Sequence, residues 1–212
     1  MFDITQIIQE LALVAIPLIM GVTFHEVAHG YVAYRFGDPT AKNAGRLTLN
    51  PLKHLDPMGT MVLVVTRMIG WAKPVPINPA YFENPRQGIF WVSVAGPVAN
   101  FGLAAGFYLL FNFFSMFQTS SGTGYAEAFI GPAMLISFYG IIINVILGIF
   151  NLFPIPPLDG SKMLASFLPG KMAGQYMSLE KYGFIILILL IFLGVFRNIF
   201  GYVINFVYQV VL

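Results

Sequence analysis

The 212-residue chain has three histidines, and two of them bracket a glutamate in His25-Glu26-Val27-Ala28-His29. Positions four apart share one face of a helix, so both imidazoles can bind a single ion. Glu26 stands one step round from His25, where it reaches a water beside such an ion without itself being a ligand. That set of groups suits hydrolysis by an activated water, with the carboxylate as general base. The surroundings sharpen the reading, because the run that carries them is otherwise apolar. An acidic residue in mid-membrane costs about 2.5–3.5 kcal/mol. Such groups are functional by default and need a partner. A divalent cation satisfies all three side chains at once, whereas a chance set of core polar residues does not explain their spacing.

Cysteine is absent, so nitrogen or oxygen must hold the metal. A catalytic zinc usually has three protein ligands and an open position. The third ligand is expected to be Asp159, just past Pro154, Pro156 and Pro157. Those prolines end a helix, and unwound backbone can present a carboxylate in a protein-lined cavity. Without the histidines, Asp159 would read as an interfacial turn residue. His54, in a polar turn between Asn50 and Pro57, is the rival third ligand; a structural role is expected for it instead. Asn151 lies on the approach to Asp159 and is a candidate to donate to a substrate carbonyl or steady an oxyanion. Asn100 and Asn144 are expected to make helix–helix hydrogen bonds.

The elements that must position these groups are membrane helices. The chain is 58% hydrophobic and 9% charged, against about 25% charged in soluble domains. So much apolar surface exceeds one small core, which indicates an integral membrane protein. A net charge of +2 suggests no nucleic-acid surface. Asp3 and Glu10 stand where a cleaved signal would carry positive charge, so none is expected. The expected fold is an all-α polytopic membrane protein, one domain over residues 1–212 with its core at about 5–165 and C-terminal helices at 182–212. It should hold about four to six transmembrane helices, a short re-entrant helix and a small membrane-interface β-hairpin.

Apolar runs predict spans from Ile4 to Phe36, Gly88 to Phe117, Gly131 to Phe153 and Tyr182 to Phe196. Ile199 to Leu212 extends the fourth span, turns back or lies along the interface. Met58 to Gly70 makes a helix of roughly 20 Å, too short for a hydrocarbon core of ~30 Å, and should enter without crossing. Arg46 to Leu49 and Trp71 to Pro79 read as extended chain, and Pro74, Pro76 and Pro79 confine the second to an edge. That edge is a candidate to pair with an unwound substrate strand. Arg35, Lys42, Arg46, Lys53, Lys73, Arg86, Lys162, Lys171 and Lys181 then share one face, while residues 118–130 hold no Lys or Arg. The basic face is expected to be cytoplasmic. His29 and Asp159 would both lie roughly 10 Å in from it.

With these pieces in place, the chain resembles the site-2 protease family of intramembrane zinc metalloproteases. The matching parts are His25 to His29, then Ala95-Gly96-Pro97-Val98-Ala99-Asn100, then Asn151 to Pro157 with Leu158-Asp159-Gly160. Asn50-Pro51 through Asp56-Pro57 and Gly70 to Pro76 resemble the small prokaryotic branch. The resemblance implies one zinc ion held by His25, His29 and Asp159, Glu26 as general base, and cleavage of transmembrane segments in a prokaryotic cell membrane. No PDZ-like insertion or CBS-like pair is recognisable, so the substrate is not indicated. Two other readings compete. An ion transporter would not need Glu26 as a base and should carry polar groups across the whole membrane depth. An inactive membrane binder would have no reason to keep Glu26.

Overall fold

The structure, a computed structural model, describes residues 4–66, 70–118 and 124–211. The first helix, α1 (Ile4–Arg35), runs through Pro17, which is fully buried within the bundle. It ends at Gly37, whose φ is 98°. There Asp38 N–H donates to Ala33 O and Gly37 N–H to Tyr34 O, the paired bonds of a Schellman ending. Asp38 is buried and ties this end of α1 to a distant loop. It accepts from the Thr40 N–H and hydroxyl and, at 2.6 Å, from the Asn78 N–H. Burial alone would raise its pKa, but those three donors hold the carboxyl below its usual range.

After the one-turn α2 (Thr40–Asn43) comes α3 (Pro57–Thr66). Its described turns reach about 15 Å, short of a crossing, and Met58, Met61, Val64 and Val65 are exposed. Residues 67–69, the end of the expected re-entrant piece, lie outside the described residues. Helix α4 (Pro85–Gln118) starts three residues before the apolar run that predicted it. Asn84 caps it by accepting from Gln87 N–H, and Pro85 suits the first position because it has no N–H to leave unpaired.

Helix α5 (Gly124–Asn151) follows, then α6 (Asp159–Phe167), α7 (Gly170–Met177), α8 (Glu180–Phe192) and α9 (Val195–Val211). Helices α1, α4 and α5 pack against one another and form the scaffold. Phe107 and Phe111 of α4, Phe138 and Ile141 of α5, and Val207 of α9 make one apolar cluster. Leu158, Leu187 and Phe196 make another, which joins α8 and α9 to the turn after α5. Outward-facing apolar side chains such as Leu109, Phe113, Phe129, Ile185 and Phe192 remain uncovered, as a lipid environment allows.

The span count falls at the low end of the expectation, and one expected element is corrected. Among the described residues, three helical stretches are long and apolar enough to cross a membrane: Leu13–Arg35, Pro85–Phe117 and Ala128–Asn151. A fourth exists only if α7 and α8, bent by 56°, count as one span. Within the predicted span at 182–196, α8 by itself has 13 residues, about 20 Å, and Gly194, at φ 73°, breaks it from α9. The expected β-hairpin is absent: the described residues hold no strand, only an isolated antiparallel bridge between Leu55 and Ala72. The two extended segments do meet, but through a side chain, since Arg46 Nη2 donates to Lys73 O at 2.6 Å. Pro74 and Pro76 have no N–H to offer a ladder. The N–H groups of Lys73, Val75 and Asn78 donate to His54 O, Glu26 and Asp38.

Candidate metal centre

His25 and His29 lie on the face of α1 that meets α4, and both are buried. Their Nε2 atoms are 2.9 Å apart. Asp159, the first residue of α6, places Oδ2 3.0 Å from each of them. The turn after α5 delivers that carboxylate through Ile155 N–H to Phe153 O and Leu158 N–H to Ile155 O. Gly160 must lack a side chain here, because a Cβ would collide with the Leu152 carbonyl and sit 2.6 Å from that of Phe153. This packing accounts for the Asp159-Gly160 pair seen in the sequence.

The other ring nitrogens are committed elsewhere. His29 Nδ1 lies 2.6 Å from Val92 O, which can only accept, so that nitrogen carries the proton. His25 Nδ1 lies 2.8 Å from Asn100 Oδ1. Both Nε2 atoms therefore turn lone pairs toward Asp159. Oδ2 of Asp159 is buried and receives no hydrogen bond. Three lone-pair donors facing one another at 2.9–3.0 Å repel unless a proton or a metal ion sits among them. Two nitrogens and a carboxylate oxygen are the donor types of a catalytic zinc site. Tetrahedral zinc with bonds of ~2.0–2.1 Å spaces its ligands by about 3.3–3.4 Å. The observed triangle is within a few tenths of that, so the residues fit the ion. His25, His29 and Asp159 form the one such group of three ligand residues among the described residues.

Gly96 on α4 lines the rings. A Cβ there would lie 2.5 Å from His25 Cε1 and 2.6 Å from His29 Cε1. On the open side is a cavity of about 1020 Å³, lined by His25, Glu26, His29, Asn151, Asp159 and Lys162 among others. Glu26 Oε2 accepts from Val75 N–H at 2.8 Å. Asn151 lines the same cavity, and its Nδ2 donates to Leu147 O one turn back. Lys162 Nζ is 3.5 Å from Asp159 Oδ1, the oxygen turned away from the histidines. Trp71 and Phe184 of α8, which both line the cavity, meet edge to face.

The fold thus gathers His25, His29 and Asp159 at one point and brings Glu26 and Asn151 to its cavity. His54 is elsewhere, fully buried, with Nε2 2.8 Å from Thr48 O, so the rival third ligand is a loop-packing residue. Sequence reasoning missed the N–H of Val75, the carbonyl of Val92 and the clearance at Gly96. The first two are backbone groups, which residue types do not announce. For Gly96, the signal lay in the Ala95-to-Asn100 motif, whose Pro97 also loosens α4 at this level.

Comparison with known proteins adds an independent finding. The family model described as "Peptidase family M50" matches residues 13–196. The protein named "Putative zinc metalloprotease YwhC" from Bacillus subtilis is 45% identical over 178 residues, covering 82% of this chain and 78% of the relative. A second, "Putative zinc metalloprotease Rip2" from Mycolicibacterium smegmatis, is 33% identical over 181 residues, covering 82% of this chain and 64% of the relative. Its namesake in Mycobacterium tuberculosis is 29% identical over 159 residues, and the match spans 55% of its length. No solved structure matches the chain.

Proposed function

Because the chain belongs to peptidase family M50, the family of the site-2 proteases, we propose that it is an intramembrane zinc metalloprotease. In this reading His25, His29 and Asp159 hold the zinc, and the enzyme hydrolyses peptide bonds in transmembrane segments of other proteins. The observation that carries it is the buried triangle of three converging lone pairs opening on a cavity that Glu26 also lines.

Zinc, when bound, supplies a Lewis acid that lowers the pKa of water toward ~7 and polarises a peptide carbonyl. The protein's own groups do the rest. Glu26 takes the proton of the attacking water and passes it to the leaving amide nitrogen. The Val75 N–H holds one of its carboxylate oxygens at 2.8 Å, which leaves the other free for the proton. Pro74 and Pro76 flank that donor without N–H groups of their own, so nothing adjacent competes for Glu26. Asn151 spends one amide hydrogen on Leu147 O and offers the second to the developing oxyanion. The apolar wall of the cavity, including Leu147, Phe150 and Ile188, suits an apolar substrate segment.

Water reaches the site from the face that carries Lys42, Lys53, Lys171 and Lys181, which the distribution of basic residues makes cytoplasmic. A substrate helix must unwind to expose a carbonyl. Edge pairing with residues 71–79 is a small part of that recognition, given that the N–H groups of Lys73, Val75 and Asn78 are occupied.

The test compares the purified protein with Glu26→Gln for bound zinc and for cleavage of a panel of single-span membrane substrates. One zinc in both, with cleavage by the native protein alone, is the expected result. Zinc flux across vesicles that survives Glu26→Gln, with no cleavage by either, would replace the protease with a transporter.

A further inference from the structure

The zinc reading leaves one requirement on His25: the imidazole must carry its proton on Nδ1, or Nε2 has no lone pair to give. What enforces this is a buried amide relay running from α1 through α4 to α5. Asn100 and Asn144 are fully buried. Asn144 Nδ2 donates to Gly140 O at 2.9 Å. A carbonyl only accepts, so this bond fixes the amide orientation and turns Asn144 Oδ1 toward Asn100. Asn100 Nδ2 donates to that Oδ1 at 3.1 Å and to Gly21 O at 3.1 Å. Both of its amide hydrogens are thereby spent on acceptors, and Oδ1 has one way to face. It lies 2.8 Å from His25 Nδ1, which must donate to it.

The opposite orientation would fail at every joint. A flipped Asn100 would aim its oxygen at Gly21 O and Asn144 Oδ1, setting acceptor against acceptor, and would aim an N–H at His25 Nδ1. The imidazole would then carry its proton on Nε2, where the metal belongs. His29 needs no such device, because a backbone carbonyl, Val92 O, already serves it. The relay is also more than helix-to-helix adhesion. A bond serving adhesion alone could run in either direction, whereas this one has a direction imposed by Gly140 O and Gly21 O.

We propose that Asn100 is a positioning residue that locks His25 in its metal-binding tautomer, and that Asn144 acts through Asn100 by holding its amide. This rests on the zinc reading given above. Metal-site partners of this kind typically change metal affinity 10–100-fold when removed.

The experiment measures zinc affinity by chelator competition, alongside thermal unfolding in detergent, for the native protein, Asn100→Leu, Asn100→Asp and Asn144→Leu. The absorption spectrum of the cobalt(II)-substituted proteins reports ligand geometry separately from activity. Asn100→Leu should lose about 10–100-fold in zinc affinity and show an altered cobalt spectrum. Asn100→Asp keeps an acceptor for His25 but loses both donated bonds. It should unfold at lower temperature yet bind zinc within about threefold of native and restore the cobalt spectrum, because a carboxylate partner supports a metal-bound histidine. Asn144→Leu should fall between them. The relay is overturned if Asn100→Leu keeps native affinity, or if zinc affinity simply follows unfolding temperature so that Asn100→Asp loses as much as its stability suggests. Should Asn100→Leu fail to fold, Asn100→Asp decides alone: native-like affinity at reduced stability supports the relay, and a tenfold loss sinks it. A native protein that takes up no zinc would instead sink the metal reading, and the relay with it.

Discussion

A metal-ligating histidine almost always donates its second ring N–H to a fixed partner, and here both second nitrogens have one. Val92 O serves His29 and Asn100 serves His25. Asp159 is the complementary case: Oδ2 has no hydrogen-bond donor, while Lys162 stands beside Oδ1. That division implies a test at the scale of one atom. Asp159→Asn removes the anionic ligand while keeping the side chain's shape. It should weaken zinc binding by more than the ~10–100-fold typical of an outer partner, measured by chelator competition. Zinc retention at native strength by Asp159→Asn would move the third ligand elsewhere. That His25 and His29 share a face was legible in their helical spacing, and the convergence of Asp159 on them was signalled by the prolines that end the preceding helix. The commitment of each Nδ1 was not, because one acceptor is a backbone carbonyl and the other an asparagine 75 positions along the chain.

Among the elements, α1 and α4 approach closely enough for rings to rest on backbone, and Gly96 makes that possible. Gly96→Ala would press a methyl group into both imidazoles. Overpacking of this kind costs about 1–3 kcal/mol. If it is relieved by displacing the rings, zinc affinity should fall by roughly tenfold or more, since ~1.4 kcal/mol is a factor of ten. Gly102→Ala, on the same helix with nothing within 4 Å of its Cβ, is the control. It should leave zinc affinity at the native level. Equal zinc affinity in the two variants would show that the close approach at Gly96 is unimportant to the site. Helix existence was largely legible in the apolar runs. Their ends were not always so: α4 begins early because Asn84 and Pro85 cap it, and α8 stops early at Gly194. The expected hairpin failed for a reason already visible in the sequence. Prolines 74 and 76 deny the ladder its donors, and side chains such as Arg46 and Glu26 take up the backbone groups instead.

At the scale of the whole molecule, the arrangement of charge along the chain implies an orientation. The chain contains no cysteine, so single-cysteine variants can be read without background. Lys42→Cys and Lys171→Cys should react with a membrane-impermeant thiol reagent only from the cytoplasmic side, and Ala128→Cys only from the opposite side. Labelling of all three from one side would overturn the proposed topology and the route by which water reaches Glu26.

Composition and spacing by themselves determined that this chain is a membrane protein and that His25, Glu26 and His29 share a helix, and they made Asp159 the leading candidate to join them. Those properties are local or additive: apolar content, helical period and the effect of proline on a helix end. Tertiary structure alone decided that His25, His29 and Asp159 bring their side-chain atoms within 3.0 Å of one another, that Val75 holds Glu26, that His54 stays away, and that Asn100, itself bonded to Asn144, takes the Nδ1 side of His25. Each of these depends on how closely α1, α4, α5 and the intervening loops pack, and on hydrogen bonds to backbone groups that every residue type carries alike.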